Sequence, residues 1–303
     1  MSPWTIGGIA IGGVLGILLL GLLATVFVLG RRFAACLRRH PTFTWDGEGQ
    51  ETAQVFSYAE STDPLLTDLR DAFDLEAIAG SGPDLERWER LMVWVHRLTT
   101  HAPNPKQPDR MDGLFLAQSA LNGQQRFNCW MYATVLNDVL LSLGYPSRIV
   151  HLYPIQEKPG ESHFITLAFS RERSKWVQLD PDMCTIVTDE SGTPLHPGEI
   201  RDSIASGKPL RVSNTIHMAY AGWLGKRLLK RLYLWYLTKN LFRFESPIQS
   251  APGYETALSG RDYLQLIPDG YHDEWLREPC VTARGNTITY TRDRARFWQA
   301  PTL

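Results

Sequence analysis

Apolar residues recur at Leu85, Trp88, Leu91, Met92, Val95 and Leu98, the three- and four-residue spacing of one buried helix face. Pro83 and Asp84 supply a start signal, and the proline-rich turn from His101 to Pro108 ends the element, so the pattern predicts a core helix from Pro83 to Thr99. A shorter helix is expected from Asp112 to Leu121, stopped by Asn122-Gly123. From Cys129 to Ser142 the chain has no Gly or Pro, carries apolar residues at helical spacing, and is bounded by Asn128 as N-cap and Gly144 as stop. Three β-rich runs then follow, Ser147–Tyr153, Ser162–Phe169 and Lys175–Leu179, separated by turns. They read as consecutive strands of one antiparallel sheet. Helices first and strands afterwards is an α+β order. Beyond it, a helix from Pro197 to Gly207 and a hairpin turning at Gly285-Asn286 into Thr287–Tyr290 are expected.

The two ends of the chain have a different pattern. Thr5 to Gly30 is an uncharged apolar run of about 26 residues, long enough to cross a hydrocarbon layer of roughly 30 Å. Arg31, Arg32, Arg38 and Arg39 follow it and no basic residue precedes it, which predicts a single-pass anchor with the bulk of the chain in the cytoplasm. A cleaved signal peptide, with Ala34-Ala35 near its end, is the competing reading. Gly8, Gly12 and Gly16 would share one face of that span, where a second copy can approach closely, so that a homodimer through this face and the ordinary frequency of glycine in membrane helices are both open readings. Residues 41–62 are polar and read as a linker or an irregular first layer, 63–212 as the core, and 213–303 as a C-terminal extension. In that extension Lys226, Arg227, Lys230 and Arg231 cover one arc of a helical projection from Tyr220 to Leu237, opposite Leu224, Leu228, Leu229, Leu232 and Trp235. This stretch reads equally as a helix lying on an anionic leaflet or as one packed on the core.

Composition adds bounds. With 303 residues, 44% hydrophobic and 21% charged, the chain can bury one substantial core. Its formal net charge of −1 gives no overall attraction to nucleic acid. The four cysteines, Cys36, Cys129, Cys184 and Cys280, have no metal-site or disulfide-framework spacing and read as free thiols.

One of those thiols is placed for chemistry. A helix N-terminus favours thiolate over thiol, and Cys129 opens the predicted helix. A lone cysteine on a core helix is more often a small apolar filler. His163 opens a strand and can take a thiol proton and return it to a leaving group. Asp180 ends the next strand before Pro181, and if the two strands pair, it lies beside the histidine and can orient it. Alone, Asp180 would be a turn residue, and Asp182, in the turn beyond, is the second choice. Neither His96 nor His151 has a partner at ligand spacing, so neither is given a role.

The stretch Arg126–Val150, with its Cys, an Ala four residues on and then Leu-Gly-Tyr-Pro-Ser-Arg-Ile-Val, resembles the nucleophile segment of the transglutaminase-like superfamily. Ser162-His163-Phe164 and Trp176–Pro181 are similar to its histidine and aspartate segments in the same order, and the likeness covers about residues 85–210. Asn128 and Phe164-Ile165 stand where many relatives carry Gly and then Trp or Val. The resemblance implies a papain-like cysteine fold, a thioester on Cys129, a peptide or protein amide substrate and no cofactor or metal. For the oxyanion, the backbone N–H of Cys129 with a side-chain amide is expected, Gln124 first, with Gln118 and Gln125 as alternatives. Water as acceptor gives a peptidase or amidase, an amine gives a transferase, and a catalytically silent scaffold that binds a peptide or membrane partner is the reading from another class.

Overall fold

The computed structural model describes residues 21, 24–25, 28–44, 55–156, 161–213, 223–256 and 259–302. Residues 28–39 are helical (α1), followed by β1 (Ser57–Tyr58), α2 (Pro64–Phe73), α3 (Leu75–Ala79), α4 (Asp84–Arg97), α5 (Gly113–Leu121) and α6 (Cys129–Ser142). Next come β2 (Ser147–Tyr153), β3 (His163–Ser170), β4 (Lys175–Leu179), β5 (Val187–Thr188), α7 (Pro197–Ser206), β6 (Arg211–Val212) and α8 (Trp223–Asn240). The chain closes with β7 (Arg243–Pro247), β8 (Gln249–Ser250), β9 (Asp262–Leu266), β10 (Cys280–Val281), β11 (Thr287–Thr291) and α9 (Arg294–Phe297).

A seven-stranded sheet in the order β10-β11-β9-β7-β2-β3-β4 divides two apolar layers. Because successive strand side chains point to opposite faces, Ala168, Val177 and Leu179 pack under α4 and α6, whereas Ile165, Leu167 and Trp176 pack with α8 and the N- and C-terminal segments. The three expected strands β2, β3 and β4 do pair antiparallel, but the sheet they belong to is mixed and not purely antiparallel: β7 and β9 continue it antiparallel, whereas β11 runs parallel to β9. The expected extension is also half of the sheet, since β7 pairs directly with β2. Phe43 and Phe56 are buried in the second layer, so the described ends of the 41–62 stretch form an irregular first layer on the core. Most of the Thr5–Gly30 run, including Gly8, Gly12 and Gly16, lies outside the described residues. Among the described residues no helix is long and apolar enough to cross a membrane.

Helix α6 lies within the first apolar layer. Asn128 caps α6 by accepting from Met131 N at 3.1 Å, every residue from Met131 to Ser142 is buried, and Gly144 ends the run at φ 76°. Its interior polar group, Asp138, accepts from Gly113 N at 2.7 Å. Burial pushes that carboxyl up to about 8, outweighing the hydrogen bonds from Gly113 and Asn137 that lower it. A raised folded value means the unfolded chain releases its proton first, so stability present below about pH 4 is lost as pH rises towards 8, by on the order of 5 kcal/mol at most. An Asp138→Asn variant, which keeps the acceptor for Gly113, is expected to flatten that loss and to melt higher than the parent at pH 8. Thermal melts across pH 5 to 8 measure this, and parallel curves for the two proteins would refute it.

Candidate active site

Cys129 is the first residue of α6 and is half-buried. The Asn128 cap engages Met131 N, which leaves the first-turn amides of Cys129 and Trp130 as helix-end donors outside the cap. His163 opens β3 and is fully buried, and Asp180, directly after β4, is equally buried. The register Thr166 opposite Leu179, carried one residue further, sets Asp180 across from Ile165, diagonal to His163 on the same face. The result is a hydrogen bond of 2.8 Å between His163 Nε2 and Asp180 Oδ2. The other nitrogen, His163 Nδ1, is buried and has no hydrogen-bond partner among the described residues. Cys129 Sγ, a ring nitrogen of His163 and a carboxylate oxygen of Asp182 all lie within 4.8 Å of one another. With Nε2 held by Asp180, Nδ1 is the nitrogen left for the thiol.

Burial by itself would favour neutral imidazole at His163, but the Asp180 charge, with Tyr236, the Asp180 hydrogen bond and Cys129 adding to it, holds the ring well above its ordinary value. Asp180 is itself fixed from several sides. Its backbone pairs both ways with Thr185 at 3.0 Å, Oδ1 accepts from Met183 N at 3.0 Å, and Oδ2 also accepts from Tyr233 Oη at 3.0 Å. Gln178 Nε2 in turn donates to Tyr233 Oη at 3.3 Å. Tyr236, one turn along α8, meets the His163 ring edge to face at 5.1 Å.

The two tyrosines were not among the sequence candidates. Their i, i+3 spacing on one helix face is the one local signal they carry, and the leucines and basic residues around them dominate the pattern. Their contacts make α8 the cover of the His163–Asp180 pair, which is the packed alternative for its C-terminal half. Replacing Tyr233 with Phe keeps the ring and removes one donor to a buried carboxylate, so the alkylation rate of Cys129 is expected to fall about tenfold. A rate unchanged within twofold would show that Tyr233 only fills space.

Asp182 is almost fully buried and its Oδ1 meets His101 Nδ1 at 2.8 Å, while His101 is partly exposed. The Asp182 hydrogen bond is the main reason the His101 ring is raised. His101 is tied to the nucleophile loop by a bridge to Phe127 and by Arg126 Nη2 donating to its carbonyl. His96, given no role from sequence, holds the turn after Asp180 through a 3.0 Å contact of Nδ1 with Pro181 O. The expected glutamines lie on the two segments before α6. Gln118 and Gln124 are exposed, and Gln125 Nε2 donates to the carbonyls of Lys106 and Arg126, because a buried amide in a tight loop satisfies the nearest backbone first. The spacing of Cys129, His163 and Asp182 is also that of a three-ligand cation set. A cation there would occupy the sulfur lone pair that attack on a carbonyl needs.

A half-buried cysteine at a helix N-terminus, close to a strand-borne histidine that is hydrogen-bonded to the aspartate after the next strand, is the set of groups that a thiol nucleophile, its base and an orienting acid require. Residues 71–181 match the family model described as the transglutaminase-like superfamily. Cys129, His163 and Asp180 all lie within the matched segment. Among solved structures, the chain is similar to a candidate cysteine protease from Cytophaga hutchinsonii, at 11% identity and a TM-score of 0.32 over 50% of this chain and 52% of the other. It is also similar to a candidate protease from Parabacteroides distasonis, at 14% identity and a TM-score of 0.25 over 37% of this chain and 25% of the other. The chain thus spans about half the length of the first of these and a quarter of the second. No curated protein matches the chain.

Proposed function

We propose that this transglutaminase-like protein cleaves an amide bond through a thioester on Cys129. The carrying observation is the division of labour on one imidazole, with Asp180 at Nε2 and a buried Nδ1, unpartnered among the described residues, left for the thiol. In the reaction, His163 takes the thiol proton and the Cys129 sulfur attacks the carbonyl carbon. The amides of Cys129 and Trp130 are the available donors to the oxyanion. Collapse of the tetrahedral species breaks the C–N bond, His163 protonates the departing nitrogen, and a water activated by His163 hydrolyses the thioester to a free acid and the resting thiol. Asp180 holds the ring and offsets its positive charge in each half-reaction.

A cavity of ≈ 280 Å³ is lined by Trp130 and Phe164, the residues that follow Cys129 and His163 in the chain, together with His151, Glu245, Glu255 and Arg261, and is the candidate for holding a substrate side chain. Trp130 and Phe164 are stacked at 5.9 Å, and Glu255 fixes the Trp130 indole at 3.0 Å. This is an aromatic wall with charged ends, suited to a flat or long polar side chain.

The test is intact-mass analysis of the full chain incubated with a peptide library, with and without a labelled primary amine. A mass increment located on Cys129 that decays to free acid supports hydrolysis, and an increment that passes to the labelled amine moves the assignment to transfer. No increment on Cys129 with any peptide, while iodoacetamide labels it no faster than Cys280, would leave the fold as a binding scaffold.

A further inference from the structure

Six large apolar side chains are exposed among the described residues, and four of them, Val28, Trp223, Leu224 and Leu229, sit on α1 and the first half of α8. These two helices lie side by side. Gly30 and Phe33 meet Trp235, while Cys36 and Leu37 line a cavity with Thr238, Lys239 and Phe242. Rising residue numbers on one helix therefore meet rising numbers on the other, and both N-terminal ends point the same way. Along their seam runs a groove of ≈ 980 Å³. Its floor is apolar, from Ile204, Leu228 and Leu234, and its rim carries the exposed Arg31, Arg38 and Arg231, with no acidic residue lining it.

From this we propose that the α1–α8 groove binds one anionic phospholipid. Cationic rim and apolar floor match the two halves of such a molecule: guanidinium groups take a phosphate by paired hydrogen bonds, and leucine and isoleucine side chains take an acyl chain. The exposed apolar residues continue that floor toward the helix N-termini, where the uncharged Thr5–Gly30 run leads into α1. Zwitterionic lipid offers the same acyl chains but places an ammonium near the rim, so it should bind less well. Free glycerol phosphate offers the phosphate alone and lacks the contribution of burying the chains, roughly 25 cal/mol per Å² of apolar surface. The site is independent of the Cys129 chemistry and stands or falls separately from it.

The experiment uses the full chain in non-ionic detergent, with dihexanoyl-phosphatidylglycerol, dihexanoyl-phosphatidylcholine and sn-glycerol 1-phosphate as probes, read by native mass spectrometry and thermal shift. Phosphatidylglycerol is expected to bind about tenfold more tightly than phosphatidylcholine, and glycerol phosphate not to bind at the same concentrations. A double Arg38→Gln, Arg231→Gln variant should lose the preference for phosphatidylglycerol, and Leu228→Asn should weaken both lipids. All are partly or fully exposed positions, and an unchanged melting temperature without lipid, with unchanged Cys129 alkylation, verifies that the fold is intact. Equal binding of the two lipids, a preference that survives loss of both arginines, or glycerol phosphate competing as well as the lipid would overturn the proposal. So would displacement of the lipid by a short oligonucleotide at equal charge concentration, which would make the rim a general polyanion surface.

Discussion

Turnover by a Cys129→Ala variant is expected to fall by about 10⁴-fold or more, with the covalent increment abolished, because loss of a triad nucleophile removes the bond-forming atom and leaves only binding and oxyanion donors. Alanine is the best helix former, and position 129 is only half-buried at the first turn, so the fold should be retained. None of the other thiols can replace it: Cys184 is buried in the turn after Asp180 at φ 50°, Cys280 is exposed on β10, and Cys36 is on α1. His163→Ala should cost nearly as much, and the double variant little more than either alone, since the two act as a unit. Rates measured on the peptide identified by adduct trapping decide this. A Cys129→Ala protein within tenfold of the parent would remove the thioester from the mechanism.

Asp180→Asn is expected to lower the same rate by about 10³- to 10⁴-fold, as loss of the carboxylate that orients and charges a catalytic histidine does elsewhere. Its pH profile carries the sharper signature. The Asp180 charge is what raises His163 against the opposing effect of burial. With Asn, the ring should lose its proton at lower pH, and the alkaline limb of Cys129 alkylation should move down. Asp182→Asn is the matched control. Asp182 has a carboxylate oxygen within 4.8 Å of the thiol, but its hydrogen bond joins it to His101, so its loss should cost about tenfold or less and leave that limb in place. If Asp182→Asn were the more damaging of the two, the orienting acid would be Asp182.

Much of this site was legible along the chain because each of its parts is local. The break of pattern at Asn128, the Gly- and Pro-free run after Cys129 and the β-rich runs around His163 and before Asp180 depend on neighbours within a few residues, and the observed α6, β3 and β4 begin within a residue of expectation. Arg148 shows the limit. It reads as one basic residue in a strand, yet it is fully buried, its guanidinium 3.9 Å from the Phe56 ring and 4.8 Å from that of Phe297, donating to Phe297 O at 2.6 Å. Partners 92 residues before it and 149 residues after it leave no trace in local periodicity.

The same distinction separates what each level of description decided. By itself the sequence determined an α+β chain with a cysteine at a helix start followed by a histidine and an aspartate on successive strands, because helix caps, strand alternation and turns are short-range. Local pattern ranked Asp180 above Asp182 because it ends the strand and Asp182 lies in the turn beyond. The tertiary structure supplied the β3–β4 register in which Asp180 meets Nε2 and Asp182 meets His101. It also placed Tyr233 and Tyr236 over the pair and made β7, β9 and β11 part of the central sheet, since such contacts depend on which face of one element meets another across long stretches of chain.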